Sequence, residues 1–219
     1  MTEAPVSQSI YEFTMGSGKG NPVVYLDIAI GHDPLRRLRF ELFYPQLPIT
    51  VENFRQLCTG EGVDKARKKM LWYKGSNIHR VIPSFMMQGG DITHGNGIGG
   101  SSANSRTFDD EGFMFKHMRG TLSMAHQANT NKSQFFVCFR ECGWLNGKHV
   151  AFGQVIAEDL AYLKDFEDVG SSTGLPLKPI AILNAGQLCG MNFADATDMG
   201  QDDDDKDDDV AVGGGGGSM

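Results

Sequence analysis

The 219-residue sequence contains no apolar run approaching the roughly 20 residues that cross a bilayer, so no helical membrane span is expected. Residues 1–21 show no apolar segment behind basic residues, and no secretory signal is expected either. Its four cysteines, Cys58, Cys138, Cys142 and Cys189, form no Cys-x-x-Cys pair. Structural zinc is therefore not expected, and buried free thiols in a reducing cytosolic or nuclear compartment are the simple reading. Cys138 and Cys142 fall in one expected strand, which would hold them roughly 13 Å apart, too far for a disulfide. His79, His94, His117, His126 and His149 are scattered without the i, i+4 spacing of metal ligands, and His32 sits in a turn. No metal and no cofactor are expected. A Gly-x-Ser-x-Gly elbow is missing too, so no nucleophile stands out.

A real charge excess is also lacking. The formal net charge is -7, but seven of the 27 acidic residues and only one of the 20 basic ones lie in 202–209. Elsewhere 20 acidic residues face 19 basic ones, which offers nothing to nucleic acid or to a membrane surface. Two glycine-rich stretches imitate phosphate loops without their context. "GNGIGG" (95–100) is followed by loop-like sequence instead of a helix, so an exposed turn with positive φ is the better reading. "GSGKGN" (16–21) has no Ser or Thr after Lys19 and runs into a strand. Asn131-Lys132-Ser133 is a glycosylation acceptor by pattern only.

What is present is a series of short strands. "PVVYLDIAI" (22–30) and "RLRFELFY" (37–44) alternate buried and wet positions and suggest a hairpin across "GHDPLR". "PITVENFRQLCTG" (48–60) switches to helical period: Val51, Phe54, Leu57 and Cys58 share a face, Ile49 or Thr50 lies near the start, and Gly60 closes it. A basic loop (63–75) follows, then strands in "SNIHRVI", "SFMMQGG", "GTLSMAH", "SQFFVCF" and "HVAFGQVI". A second helix fits 157–170, with Leu160, Leu163 and Phe166 on one face, and "KPIAILNAGQL" (178–188) is a closing strand. About eight short strands with two helices favour an all-β, closed antiparallel barrel over parallel βαβ units. Residues 1–21 read as an extension, 22–190 as the folded domain, and 191–219 as a disordered acidic and Gly-rich tail. Asp202–Lys206 also matches the recognition sequence of a processing protease, so a native tail and an engineered remnant both stand.

Three segments combine apolar side chains with isolated polar ones: "HRVIPSFMMQGGD" (79–91), "GTLSMAHQANTNKSQFF" (120–136) and "CGWLNGKHVAFG" (142–153). Residue types alone favour a barrel core with polar residues at strand ends. Arg80 resists that reading, because a guanidinium is costly to bury unpaired and no carboxylate lies near it in sequence.

These segments resemble the cyclophilin family of peptidyl-prolyl cis-trans isomerases, over a stretch from about Pro22 to Leu188. The first matches the family's signature apart from Ile78 in the leading aromatic position; "NTNKSQFF" and "WLNGKHVAFG" match its later landmarks. The resemblance implies an eight-stranded antiparallel barrel capped by two α-helices, and catalysis of rotation about X-Pro bonds. By the same resemblance Arg80, Gln88, Phe85 and His149 are catalytic. Arg80 is the donor to the prolyl nitrogen, and Gln88 orients it while holding a peptide carbonyl. Phe85, Met86, Phe136 and Leu145 line the proline pocket, and Ala125, the His126 backbone, Gln134, Trp144 and His149 hold flanking residues. Trp144 further implies binding of cyclosporin-type cyclic peptides.

The sequence departs from the family in places. His126 stands where Asn is usual, the loop "HQANTNK" is about one residue short, and Asn146 replaces a common Asp at a position expected to be peripheral. The basic loop resembles a divergent-loop subgroup with an oxidation-sensing cysteine pair. Cys58 occupies one of those positions, but Ala185 stands at the other and Cys189 lies four residues later, so that switch is not expected. Expected partners are Pro-containing peptides and folding proteins, with no nucleic acid and no membrane. The chain is expected to be a cytoplasmic (or nuclear) monomer. A non-catalytic Pro-peptide adaptor, or one recruiting partners through the basic loop or tail, is the competing reading.

Overall fold

In Val23–Ile30 (β1) and Arg36–Leu42 (β2) every second side chain points inward. Val24, Leu26, Ile28, Leu38, Phe40 and Leu42 lose all solvent contact. That alternation is the pleat of a sheet with one dry face. The computed structural model describes residues 20–64, 68–104, 106–126 and 128–189, without the side chain of Cys189. The acidic tail and nearly all of the N-terminal extension lie outside them.

Further strands are Gly62–Asp64 (β3), Lys69–Leu71 (β4), Ile78–Ile82 (β5), Met86–Gly89 (β6), Thr121–Met124 (β7), Phe135–Cys138 (β8), Ala151–Val155 (β9) and Ile180–Cys189 (β10). Eight of them form one antiparallel sheet in the order β10-β1-β2-β9-β7-β8-β6-β5. A bridge between Asn77 and Ala181 ties its two ends together, giving a nearly closed barrel with two helices. β3 and β4 form a separate small hairpin, so the expected basic loop is partly sheet; residues 65–67 lie outside the description.

Pro48–Thr59 (α1) lays Val51, Phe54, Leu57 and Cys58 into the core, and Gly60 ends it at φ 79°, as the spacing predicts. Its start, beside Ile49 and Thr50 as expected, is held from outside the helix. No local side chain caps it; the Glu111 carboxylate, distant in sequence, accepts from the Ile49 and Thr50 N–H groups at 2.9 and 2.8 Å. Phe54 meets Phe135 and Phe152 edge-on at 5.3 and 5.2 Å and forms the centre of the core. The second expected helix is divided: a 3-10 segment over Ala157–Tyr162 leads into Leu163–Asp168 (α2), which buries Leu163 and Phe166.

Candidate functional site

On one side of the sheet the register assembles a cross-strand row. Arg80 of β5 opposes Gln88 of β6, Gln88 opposes Phe136 of β8, and Phe136 opposes Ser123 of β7. Opposed residues share a face, so all four point away from the barrel interior. The next row, Val81, Met87, Val137 and Leu122, points inward and is fully buried. Ile82, Met86 and Cys138 then point outward again. Met86, Phe136, Cys138 and Cys142 accordingly form a second apolar cluster, flanked by Ile82, Phe85, Ala125 and Leu145.

Arg80 reaches this outer face through an irregularity. Ile78 belongs to the inner core, and strict alternation would put Arg80 beside it. The register shifts between Ile78 and Arg80, leaving His79 as an extra residue that turns Arg80 outward. The guanidinium is exposed, so the burial that the sequence made costly is avoided. Its stem lies under Gly174, where a Cβ would come within 3.0 Å of Arg80 Cγ. Among the described residues no carboxylate pairs with it. Its one hydrogen bond is from Nη1 to Gln88 Oε1, at 3.4 Å.

Behind Arg80 runs a chain of amides. Gln88 Nε2 donates to Gln134 Oε1 at 2.9 Å, and Gln134 Nε2 donates to the carbonyls of Gly97 and Gly99 at 2.9 and 2.8 Å. The loop carrying those carbonyls is organised by Asp91, whose role the sequence did not reveal. Its carboxylate accepts N–H bonds from Thr93, His94, Asn96, Gly97 and Gly99, at 2.9 to 3.2 Å. Burial opposes ionisation of Asp91, but the bonds from His94, Gly99 and Thr93 outweigh it and hold the carboxyl well below the usual carboxylate range. An Asp closely followed by Thr-His-Gly-Asn-Gly was the available signal for such a turn. The glycines behave as expected in that turn: Gly95, Gly97 and Gly100 have φ of 71°, 89° and 108°. Gly89 has a different role. It is the last residue of β6 and not part of a turn, and a Cβ there would meet Ile78 Cδ1 at 2.5 Å.

The opposite wall is aromatic. His117 stacks on Phe136 at 5.7 Å, and His149 meets Phe136 edge-on at 5.5 Å. His117 is held by Ser123 Oγ and by Asn146 Oδ1, each at 2.9 Å. Asn146, expected to be peripheral, thus supports the ring behind the pocket. Burial pushes the basicity of His117 down; for His149 burial and the neighbouring His126 do the same. The His126 ring lies 4.7 Å from that of His149 and 3.1 Å from Asp110 Oδ1, yet neither His126 nitrogen meets hydrogen-bond geometry.

Together these elements enclose a cleft of about 590 Å3. Arg80, Phe85, Met86 and Gln88 line it, with Ala125, His126, Gln134, Phe136, Leu145 and His149. A family comparison agrees: residues 25–187 match the model of the cyclophilin type peptidyl-prolyl cis-trans isomerase/CLD. The chain belongs to the cyclophilin family. Of the side chains expected at its site, Trp144 alone stands outside the cleft lining. It is 50% exposed and packs on Phe85 with ring centres 5.7 Å apart. Conversely, this cyclophilin brings in Gly97, Ile98, Gly99, Thr130 and Lys132, which the sequence reading passed over.

The cysteines also need correction. β8 ends at Cys138, and the chain folds back so that the Cys142 thiol lies 3.8 Å from the Phe85 carbonyl and against the Cys138 thiol. The assumed 13 Å separation required an extended chain through both residues, which the fold does not provide. Both are free thiols, and burial raises the pKa of each. Cys58 is buried in the core with its thiol pushed far up by burial, and Ala185 packs inside β10. Among the described residues no group of His, Cys, Asp and Glu could hold a metal ion.

Proposed function

We propose that this cyclophilin is a catalytically active prolyl isomerase, and that Arg80 drives the reaction. The observation that carries this reading is the cross-strand row: an exposed guanidinium free of any carboxylate among the described residues, two strands from Phe136. The X-Pro amide rotates over a barrier of about 18–20 kcal/mol because resonance makes its C–N bond partly double. Twisting the bond removes that resonance and leaves a lone pair on a pyramidal prolyl nitrogen. An N–H of Arg80 donates to that lone pair, which neither planar isomer offers, so the twisted state gains more than the ground states. No bond to the enzyme forms and no proton moves. Each ~1.4 kcal/mol gained is about tenfold in rate.

Phe85, Met86, Phe136 and Leu145 take the proline ring. Gln88 presents its carbonyl oxygen to Arg80 and, through Gln134, is tied to the Gly97–Gly99 loop, so the guanidinium is held ready. His149, neutral because burial lowers its pKa, adds no competing charge to the wall. Ala125, His126 and Gln134 hold the flanking peptide. Trp144, lying on Phe85 outside the lining, offers an exposed surface to a cyclic peptide larger than the cleft, which supports cyclosporin binding. The physiological role proposed is assisted folding of Pro-containing proteins by a cytosolic monomer.

Exchange NMR or a protease-coupled assay on an X-Pro peptide tests the reading. Arg80→Ala is expected to lose well over tenfold in rate while still binding peptide. An inactive wild type, or full activity in Arg80→Ala, would overturn it; peptide binding without isomerisation would leave a non-catalytic adaptor.

A further inference from the structure

The cleft joins an apolar floor that suits proline to a lining whose fixed charges are all positive. Arg80 and Lys132 both line the cleft, and no Asp or Glu does. The carboxylates nearby are already engaged. Asp110 lies against His126 and accepts from Asn131 Nδ2 at 2.9 Å, and Asp91 is consumed by backbone N–H groups. The Lys132 ammonium has no partner among the described residues, and it is not the product of a loose loop. Asn53 of α1, only 7% exposed, donates from Nδ2 to the Lys132 carbonyl at 2.9 Å, while its Oδ1 accepts from Ala103 N–H at 2.9 Å. Next to it, Ser133 Oγ donates to the Gly90 carbonyl at 2.6 Å. The backbone at Lys132 and Ser133 is anchored, so the Lys132 charge is confined to the reach of its side chain from a fixed point on the cleft wall.

That place follows from the strand. Lys132, Gln134 and Phe136 alternate along the approach to β8, and all three line the cleft. β8 begins only at Phe135 and the chain bends at Ser133, so four residues put Lys132 at most roughly 13 Å from Phe136. A bound peptide in extended form covers about 3.3–3.6 Å per residue. A side chain two to four residues from a proline seated on Phe136 therefore comes beside Lys132.

We infer that this cleft selects peptides bearing an acidic side chain two to four residues to one side of the proline, with Lys132 as the specificity-determining residue. The inference rests on the isomerase reading for the placement of proline on Phe136. Lys132 is partly exposed, and a Lys–carboxylate pair near the surface supports a preference of about two- to fivefold, weakened by added salt.

A set of end-blocked peptides with one central proline tests it, with Glu, Gln or Lys placed in turn at each of the four positions on either side. Both affinity, from NMR shift titration, and isomerisation rate, from NMR exchange, are read. Wild type is expected to favour Glu over Gln at a position two to four residues from proline, on one side only. Lys132→Gln should erase that preference, and Lys132→Glu should transfer it to the Lys peptide, which also shows that the variant is folded. No Glu–Gln difference at any position, or one that survives Lys132→Gln, overturns the inference. If no peptide is isomerised but affinities follow this pattern, the isomerase reading falls and the charge selection stands.

Discussion

Phe135 and Phe136 are neighbours in sequence and belong to different parts of the molecule. Phe135 points into the barrel, where Phe54 and Tyr73 each lie 5.3 Å from it, ring centre to ring centre. Phe136 points outward into a small cluster between two histidines, with a cleft on its open side. One pleat separates stability from function. The inner face is hydrocarbon filling a closed volume. Its outer counterpart is a thin apolar floor carrying a few polar groups, of which Gln88, Gln134 and His149 are oriented by hydrogen bonds from behind.

The largest effect should come from exchanging one phenylalanine for the other as the target. Phe135→Ala is expected to cost about 3–5 kcal/mol in urea unfolding, the cost of a large cavity in a closed core. Phe136→Ala should cost less, because solvent can enter from the cleft, but it should weaken peptide binding and rate together. Equal stability losses with unchanged affinity would dissolve the contrast between the faces.

Asp91→Asn keeps the shape and removes the charge that gathers five N–H groups. A loss of about 1–3 kcal/mol is expected. Because Gln134 leans on that loop, and both holds peptide and steadies Gln88 behind Arg80, KM should rise and kcat should fall together. A fall in kcat alone would remove Gln134 from peptide binding, and a rise in KM alone would break the link from the loop to Arg80.

Arg80→Lys keeps the charge and loses the rigid fork. A rate loss near tenfold, about 1.4 kcal/mol, is expected with no shift in the unfolding midpoint. Wild-type activity in this variant would mean that charge alone suffices at the outer face.

The smallest effect is a pH dependence. Burial lowers the pKa of His79, His117 and His149 in the fold, so at mildly acidic pH the unfolded chain binds more protons than the folded one. Stability should therefore rise with pH up to about 6.5, the ordinary histidine value, and level off above it. It should fall as pH drops through the lowered values. Melting temperature against pH reads this directly, and a slope of opposite sign would mean that these rings gain, rather than lose, protons on folding.

Much of the barrel was readable because its strands alternate cleanly and α1 repeats its apolar residues at helical spacing. Gly60, forced to positive φ at the helix end, was readable for the same local reason. The division of 157–170 into a 3-10 segment and a short helix was not, since both windings bury Leu163 and Phe166. Trp144 and Leu145 are adjacent in sequence, yet Leu145 lines the cleft and Trp144 does not. A 3-10 turn over Gly143–Leu145 makes that choice. The fold-back after β8 that joins Cys138 to Cys142 was hidden because spacing alone fixes a distance only if the chain stays extended.

By itself the sequence determined the elements, the two-faced pattern of the strands, the family resemblance and the short list of polar residues set among apolar ones. Those are local properties, fixed by period and residue type. Tertiary structure decided which of them meet. The extra residue His79 turns Arg80 to the outer face, the register aligns it with Gln88 and Phe136, and Asn53 on a distant helix anchors Lys132 over the same cleft. Each of these depends on contacts between segments far apart in the chain. A one-residue change in register would have moved the same side chains to the opposite face.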